Sequence, residues 1–390
     1  MKKTLNVAMI GGGFMGRAHS NAWLKVNKFF DAPYKVNLKV IVGNNKPLES
    51  FAENWGYDEV SYDWRETLAR KDIDIVSIGT PTYMHKDMAI EAAKNGKHIV
   101  LEKPCAFSYA DCVEMYEAAE KAGVVHYLNH NYRRVPAVAY AKKLIEEGFL
   151  GRVFHWRGAY LQDWIIDPEF PLTWHLRADR ACGGALYDLG SHAVDLARYL
   201  IGEPERVTAR LETFVKNRPL PGANAATFSK GESTSGAEKG EVTVDDSAFM
   251  IIDFENGALG SIDVTRFACG RKNYNDFEVY GDKGAIKFNF ERMNELEIFD
   301  FTEPARSQGY KRILATEGDH PYVSAWWPSG HIIGYEHTFV NAFYDFLTAI
   351  DAKSEITPNL LDGANIIRCL EAARLSSAEG RPVSVKEIGQ

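Results

Sequence analysis

Near its N-terminus the chain passes from a short apolar run, Leu5-Asn6-Val7-Ala8-Met9-Ile10, directly into Gly11-Gly12-Gly13-Phe14-Met15-Gly16 and then into a helix-forming segment. A glycine loop in that position constrains the fold strongly, because it suits the tight turn between a parallel strand and its crossover helix. Gly11 permits the turn, Gly13 lets the backbone approach a pyrophosphate, and Gly16 brings helix and strand together. The helix N-terminus, with Phe14 and Met15, then faces the anion. The plain alternative, a glycine-rich turn with no ligand, does not account for the segments beyond it. Five further β-rich runs (LKVIV, DEVSY, DIVSIG, KHIVLE, VVHYLNH) alternate with helical stretches such as MHKDMAIEAAKNG and YADCVEMYEAAEKAG. Such alternation means parallel strands with crossover helices, and Asn95-Gly96 and Ala122-Gly123 supply helix stops. Residues 1–133 are therefore expected to form a doubly wound Rossmann sheet that binds NAD or NADP.

From residue 134 to 390 the pattern changes. A helix at 135–147 is followed by long strands joined by tight turns: residues 247–254 and 258–267 flank Glu255-Asn256-Gly257, and FEVYG and AIKFNF flank Asp282-Lys283-Gly284. Asn-Gly is a strong hairpin signal because both turn positions favour positive φ. The second domain is expected to be α+β, with a large, open, mostly antiparallel sheet and PVSV near the end as an edge strand. Residues 216–243 are rich in Gly, Pro, Ser and Thr without periodicity, and read as a long mobile loop, either a lid or an inert excursion.

Composition narrows the function classes. A length of 390 residues suits two domains, and 45% apolar with 12% aromatic residues argues for packed cores throughout. The net charge of -8, with no run of lysine and arginine, offers no field for nucleic acid. No apolar run approaches the ~20 residues that span a bilayer, and the N-terminal apolar stretch is too short for a signal peptide. Cys105, Cys112, Cys182, Cys269 and Cys369 are dispersed without metal spacing, which points to a reducing cytoplasm and no metal.

Two constellations carry chemistry. The KHIVLE strand delivers Glu102-Lys103-Pro104 at its carboxyl end, where open parallel sheets place ligands. An isolated lysine is usually a surface charge, but this one leaves an apolar strand on the cofactor side. Residues 183–200, GGALYDLGSHAVDLARYL, read as one helix that sets Asp188 and His192 on one face. A polar stripe is most often a helix's wet face; this one carries short side chains and a histidine instead of lysine and glutamate. After the second strand comes Val42-Gly43-Asn44-Asn45-Lys46, without the carboxylate that grips the adenosine ribose of NAD. Gly43, Asn44 and Lys46 are candidate contacts there. Lys46 either answers a 2′-phosphate or is merely solvated, and the balance tilts slightly towards NADP.

Taken in order, GGGFMG, TPTYMH at 80–85, Glu102-Lys103-Pro104, HNYRR at 130–134 and GGALYDLGSHAVDLARYL resemble the Gfo/Idh/MocA (glucose-fructose oxidoreductase / inositol dehydrogenase) family over nearly the whole chain. The resemblance implies a catalytic set of Lys103, Asp188 and His192, and a Lys103-Pro104 bond that is often cis. It also implies further cofactor contacts from Thr80, Pro81, His85, Glu102, Lys103, Asn131 and Arg133, and a homo-oligomer, dimer or tetramer, built through the C-terminal sheet. A neutral polyol needs short polar contacts and flat apolar faces. Tyr132, Tyr160, Gln162, Asp163, Trp164, Trp174 and Arg177, with Arg266 further out, are candidates beside Lys103, Asp188 and His192. Each aromatic taken alone is better explained as core packing, so the cluster matters more than any member. Asp195, one turn beyond His192, either fixes the imidazole or satisfies nearby backbone.

The expected activity is reversible oxidation of a secondary hydroxyl on a sugar, anhydrosugar or cyclitol to a ketone. Inositol 2-dehydrogenases share the triad, so it does not choose among substrates. A sugar sensor tends to lack the triad, and a glycoside-cleaving enzyme that oxidises carbon 3 transiently shows no net cofactor turnover.

Overall fold

The computed structural model describes residues 2–44, 47–221 and 238–390. The chain divides into two compact units, residues 1–135 with 316–365, and residues 136–315 with 366–390.

The described residues of the first unit hold six parallel strands: β1 (Thr4–Ile10), β2 (Lys35–Val42), β3 (Glu59–Ser61), β4 (Ile75–Ile78), β5 (His98–Leu101) and β6 (His126–Leu128). Their order is β3-β2-β1-β4-β5-β6, the order of dinucleotide-binding sheets, with its crevice where the winding reverses between β1 and β4. The crossovers are α1 (Phe14–Phe29), α2 (Glu49–Trp55), α3 (Trp64–Ala69), α4 (His85–Lys94) and α5 (Tyr109–Ala122). Helices cover both faces, so β4 is buried at every position. Local chemistry fixes the helix ends. Asp63 and Ser108 accept backbone N–H bonds as N-caps of α3 and α5, and Gly123 closes α5 in the left-handed conformation.

The second unit begins with α6 (Pro136–Glu146) and β7 (Val153–Leu161), then the helices α7 (Ala178–Ala181), α8 (Ala185–Asp188) and α9 (Gly190–Leu200). The strands β8 (Pro204–Glu212), β9 (Asn217–Pro219), β10 (Lys239–Glu241), β11 (Ser247–Phe254) and β12 (Leu259–Thr265) come next. After them come β13 (Tyr274–Gly281), β14 (Gly284–Asn289), β15 (Glu295–Asp300) and β16 (Lys311–Leu314). The last elements of the chain are α10 (Tyr335–Ala352), α11 (Leu360–Glu379) and β17 (Val383–Ser384). Nine of the described strands form one sheet in the order β16-β15-β14-β13-β7-β12-β11-β8-β17. Its neighbours run antiparallel except β7 and β12, which are parallel. β17 is the expected edge strand. Strand residues alternate between a buried face and an open one, so that Phe249, Ile251 and Leu259 share the open face and are more than half exposed.

Three expectations change. The second domain is not one continuous stretch from 134: residues 316–365 pack with the first unit. The cause is α10, which buries Phe339, Phe343 and Phe346 along one stripe and sets Phe343 against Trp23, ring centroids 4.2 Å apart. The β11–β12 turn is not left-handed at both centres. Among the described residues of that turn only Gly257 has positive φ, at 83°. Gly257 N–H donates to the Phe254 carbonyl at 2.9 Å and Phe254 N–H to that of Ala258 at 3.0 Å, the pattern of a three-residue loop with a left-handed glycine closing it. Finally, residues 216–243 are not irregular at their ends, because β9 and β10 pair as an antiparallel ribbon. The middle of that stretch, on which the lid reading rests, lies outside the described residues.

No helix among the described residues is long and apolar enough to cross a membrane. No group of three or more His, Cys, Asp or Glu among them is placed to hold a metal ion.

Candidate active site

In the first unit the glycine loop has the shape that a dinucleotide needs. Gly11, at φ 106°, donates its N–H to the Val42 carbonyl at 2.8 Å. A Cβ added at Gly11 would come 2.7 Å from the Gly79 carbonyl oxygen, and one at Gly16 would come 2.0 Å from that of Gly11, whereas one at Gly13 would meet nothing within 4 Å. Gly13 is thus the open approach, and the other two are packed against backbone. Among the described residues α1 has neither a side-chain cap nor an acidic residue in its first turn, which leaves its N-terminal amides to an anion. Met15 packs beside Gly79, and the half-exposed Phe14 stacks on Tyr335 with ring centroids 6.3 Å apart. Gly43 packs on Leu48 and Asn44 is exposed; Lys46 lies outside the described residues. Alanine at Gly16 is expected to lower stability by about 1–3 kcal/mol through overpacking and to abolish NADH binding. Thermal melts and a fluorescence titration check this, and an unchanged titration would remove the loop from the cofactor site.

Behind Lys103 lies a buried polar network. Glu102 is 3% exposed. Its Oε1 faces His19 Nε2 at 2.7 Å and accepts from Asn129 Nδ2 at 2.6 Å, while its Oε2 accepts the Lys103 N–H at 3.2 Å. His19 Nδ1 lies 2.7 Å from Ser77 Oγ, which accepts from Trp23 Nε1 at 3.3 Å. His19 Nε2–H donates to the Glu102 carboxylate, and Ser77 closes the network at Nδ1. Burial pushes the Glu102 carboxyl up, but the hydrogen bond and charge of His19, the hydrogen bond from Asn129 and the charge of Lys103 together hold it below the ordinary range. An ionised carboxylate therefore stands behind the lysine, whose bond to Pro104 is cis.

Several expected cofactor contacts have other partners. The Glu102 carboxylate is occupied by this network. His85 is 1% exposed, with Nδ1 3.0 Å from the Pro104 carbonyl and 3.3 Å from that of Cys105, and Nε2 2.9 Å from that of Thr80. Burial pushes its pKa down against the pull of those carbonyls. Its place is structural: it ties the turn after β4, with Thr80 and Pro81, to the turn after β5. Asn131, 3% exposed, donates from Nδ2 to Thr338 Oγ1 at 2.8 Å, and Tyr132 and Arg133 are each 4% exposed.

In the second unit the segment at 183–200 is two helices broken at Leu189, not one. A clasp holds its start. Asp245 accepts the Gly184 and Leu186 N–H groups on its carboxylate and that of Ala185 on its carbonyl, so close that a Cβ at Gly184 would meet the Asp245 carbonyl oxygen at 1.6 Å. Asp188, half-buried, ends α8, and His192 lies in the first turn of α9. The polar stripe is not a wet face: Ser191, His192 and Asp195 are all buried.

Beside His192, neutral side chains form a ladder. The Tyr160 ring sits 5.8 Å from the His192 ring, and its hydroxyl donates to Asn273 Oδ1 at 2.6 Å. Gln162 Nε2 donates to the same oxygen at 3.0 Å, and Trp164 Nε1 to Gln162 Oε1 at 2.9 Å. Other candidates have partners of their own. The Asp163 carboxylate pairs with Lys272 Nζ at 2.7 Å, which holds its pKa down, Arg177 pairs with Asp179 at the surface, and Trp174 stacks on His175. Arg266 is wholly buried and donates to the Asp245 carbonyl, so it braces the clasp.

Comparisons with known proteins accord with this geometry. Residues 5–130 match the oxidoreductase family with an NAD-binding Rossmann fold, and residues 138–287 match the GFO/IDH/MocA C-terminal domain. The chain is 41% identical over 389 residues to levoglucosan dehydrogenase of Pseudarthrobacter phenanthrenivorans, covering 99% of each. The chain belongs to the Gfo/Idh/MocA oxidoreductase family. A solved levoglucosan dehydrogenase in complex with NADH and levoglucosan superposes at TM-score 0.92 with 40% identity, over 98% of this chain and 100% of that one. An oxidoreductase domain protein from Kribbella flavida superposes at 0.93 with 43% identity, over 99% and 100%. His19, Asn273 and Asp245 do not stand out in the sequence, because their roles rest on contacts distant in sequence. The doublet Asp245-Asp246 after a glycine-rich stretch was the one available signal.

Proposed function

We propose that the chain reversibly oxidises a secondary hydroxyl of a sugar or anhydrosugar, with levoglucosan as the first substrate to test. The observation that carries this reading is the buried His192 beside a ladder of neutral amide, phenol and indole groups. That lining suits a neutral polyol. Bound nicotinamide supplies the hydride acceptor. His192 takes the hydroxyl proton, a task for which imidazoles suit neutral pH. Lys103 hydrogen-bonds the same oxygen and offsets its growing negative charge, and Asp188 orients the substrate.

On the cofactor, the neutral Asn44 leaves no carboxylate at that described position to repel a 2′-phosphate. The levoglucosan dehydrogenase relative, solved with NADH, supports NAD as the working form. We expect NAD to be used with only weak discrimination against NADP. A homo-oligomer through the open sheet face is supported by its exposed Phe249, Ile251 and Leu259, and five cysteines that form no disulfide among the described residues support a reducing cytoplasm.

The test is net reduction of NAD and of NADP by levoglucosan, myo-inositol, scyllo-inositol, glucose and xylose. Levoglucosan is expected to give the highest kcat/KM. Preference for an inositol would move the reading to an inositol dehydrogenase, and no net reduction by any of them would favour a sensor or a transient-oxidation enzyme.

A further inference from the structure

We propose that Asn275 is a substrate-binding residue, its side-chain amide hydrogen-bonding a hydroxyl of the neutral polyol beside Tyr160 and His192. The proposal rests on the dehydrogenase reading above and names a contact within that site.

Asn275 lies on β13 and is 1% exposed, yet its Nδ2 has no hydrogen-bond partner among the described residues. A buried amide N–H left unpaired costs about 1–3 kcal/mol, and native proteins leave few such groups without a ligand, water or function to explain them.

Its position gives the orphan meaning. Asn275 is the register partner of Tyr160 across the β13–β7 pair, so the two side chains share the buried face of the sheet. Tyr160 in turn packs against the His192 ring. The Tyr160 hydroxyl donates to Asn273, and Gln162 and Trp164 are likewise joined to the ladder, so these polar groups have protein partners where Asn275 Nδ2 has none. Trp156 Nε1 on the same strand face is also unmatched. Its ring, however, is stacked on Phe277, centroids 5.1 Å apart, four residues back from Tyr160 along β7 and away from its His192 end. An uncharged amide that offers one hydrogen bond suits a hydroxyl better than a carboxylate or phosphate, which recruit cations.

Function and mere packing leave opposite signatures. Asn275→Leu keeps the volume but removes the orphan. The expected result is a fall in kcat/KM for the polyol of about 10- to 100-fold, an unchanged KM for NAD, and a thermal midpoint equal to or above that of the wild type. A panel of monodeoxy substrates gives the second reading. The wild type is expected to lose about tenfold on one analogue, and Asn275→Leu to lose nothing further on that same analogue. A lowered midpoint with kcat/KM within about threefold of wild type would assign Asn275 to packing or to a held water and overturn the proposal. If the leucine variant does not fold, Asn275→Ala goes through the same assays. A wild type that oxidises none of the polyols overturns the dehydrogenase reading; an active wild type with an unimpaired Asn275→Leu overturns the Asn275 assignment alone.

Discussion

Alanine at His192 is expected to cut turnover by ~100- to 10,000-fold, the ordinary loss for a general base, or roughly 3 to 5 kcal/mol of transition-state stabilisation. The effect should fall on kcat. His192 sits in the second unit on α9, against Tyr160, while the glycine cradle belongs to the first unit, so the affinity for NADH should hold. The measurements are steady-state reduction of NAD and a fluorescence titration with NADH on the same preparation. Partial rescue by added imidazole would support proton transfer over a packing role. Turnover close to wild type would refute the assignment.

The second large effect is on stability. Alanine at His19 removes the imidazole from a buried carboxylate and leaves Glu102 with the Asn129 and Lys103 N–H groups alone. Breaking one side of such a pair typically costs about 3–5 kcal/mol, a fall in melting temperature of roughly 6–20 °C for a unit of this size. The pH dependence arises from Glu102, whose carboxyl is held below its ordinary value. A lowered carboxyl contributes stability that is fully present above its unfolded pKa and is lost as pH falls through the folded one. The wild type should therefore lose stability on acidification below about pH 4.5, and Glu102→Gln, which keeps the shape without the charge, should lose less across that window. Melts from about pH 7 to about pH 3 read both effects. An equal acid dependence in Glu102→Gln would show that the network does not carry it.

What the sequence made legible was local. The glycine loop, the strand–helix alternation and the cap residues act within a few positions, and the parallel sheet follows from them. Asn256-Gly257 located its hairpin correctly, but the turn type depended on how the flanking strands close, and Asn256 keeps an ordinary φ. Likewise the lysine and the Asp188/His192 pair stood out by residue type. The partners of Glu102 and His85 did not, because His19 and the Thr80 and Pro104 carbonyls reach them only in the folded sheet. Asn275 looked like any strand residue until its neighbours were known. Nor does a helix's periodicity say which core it covers, so α10 was assigned to the wrong one.

The return of α10 bears on how this protein is made. Trp23 and the surface around it emerge early from the ribosome, yet the helix that covers them arrives only after residues 136–315 have been synthesised. At roughly 5–20 residues per second this delay is on the order of ten seconds or more. During that time the nascent N-terminal half presents an aromatic surface to the cell, a natural binding site for a chaperone. A fragment ended near residue 135 would present it permanently.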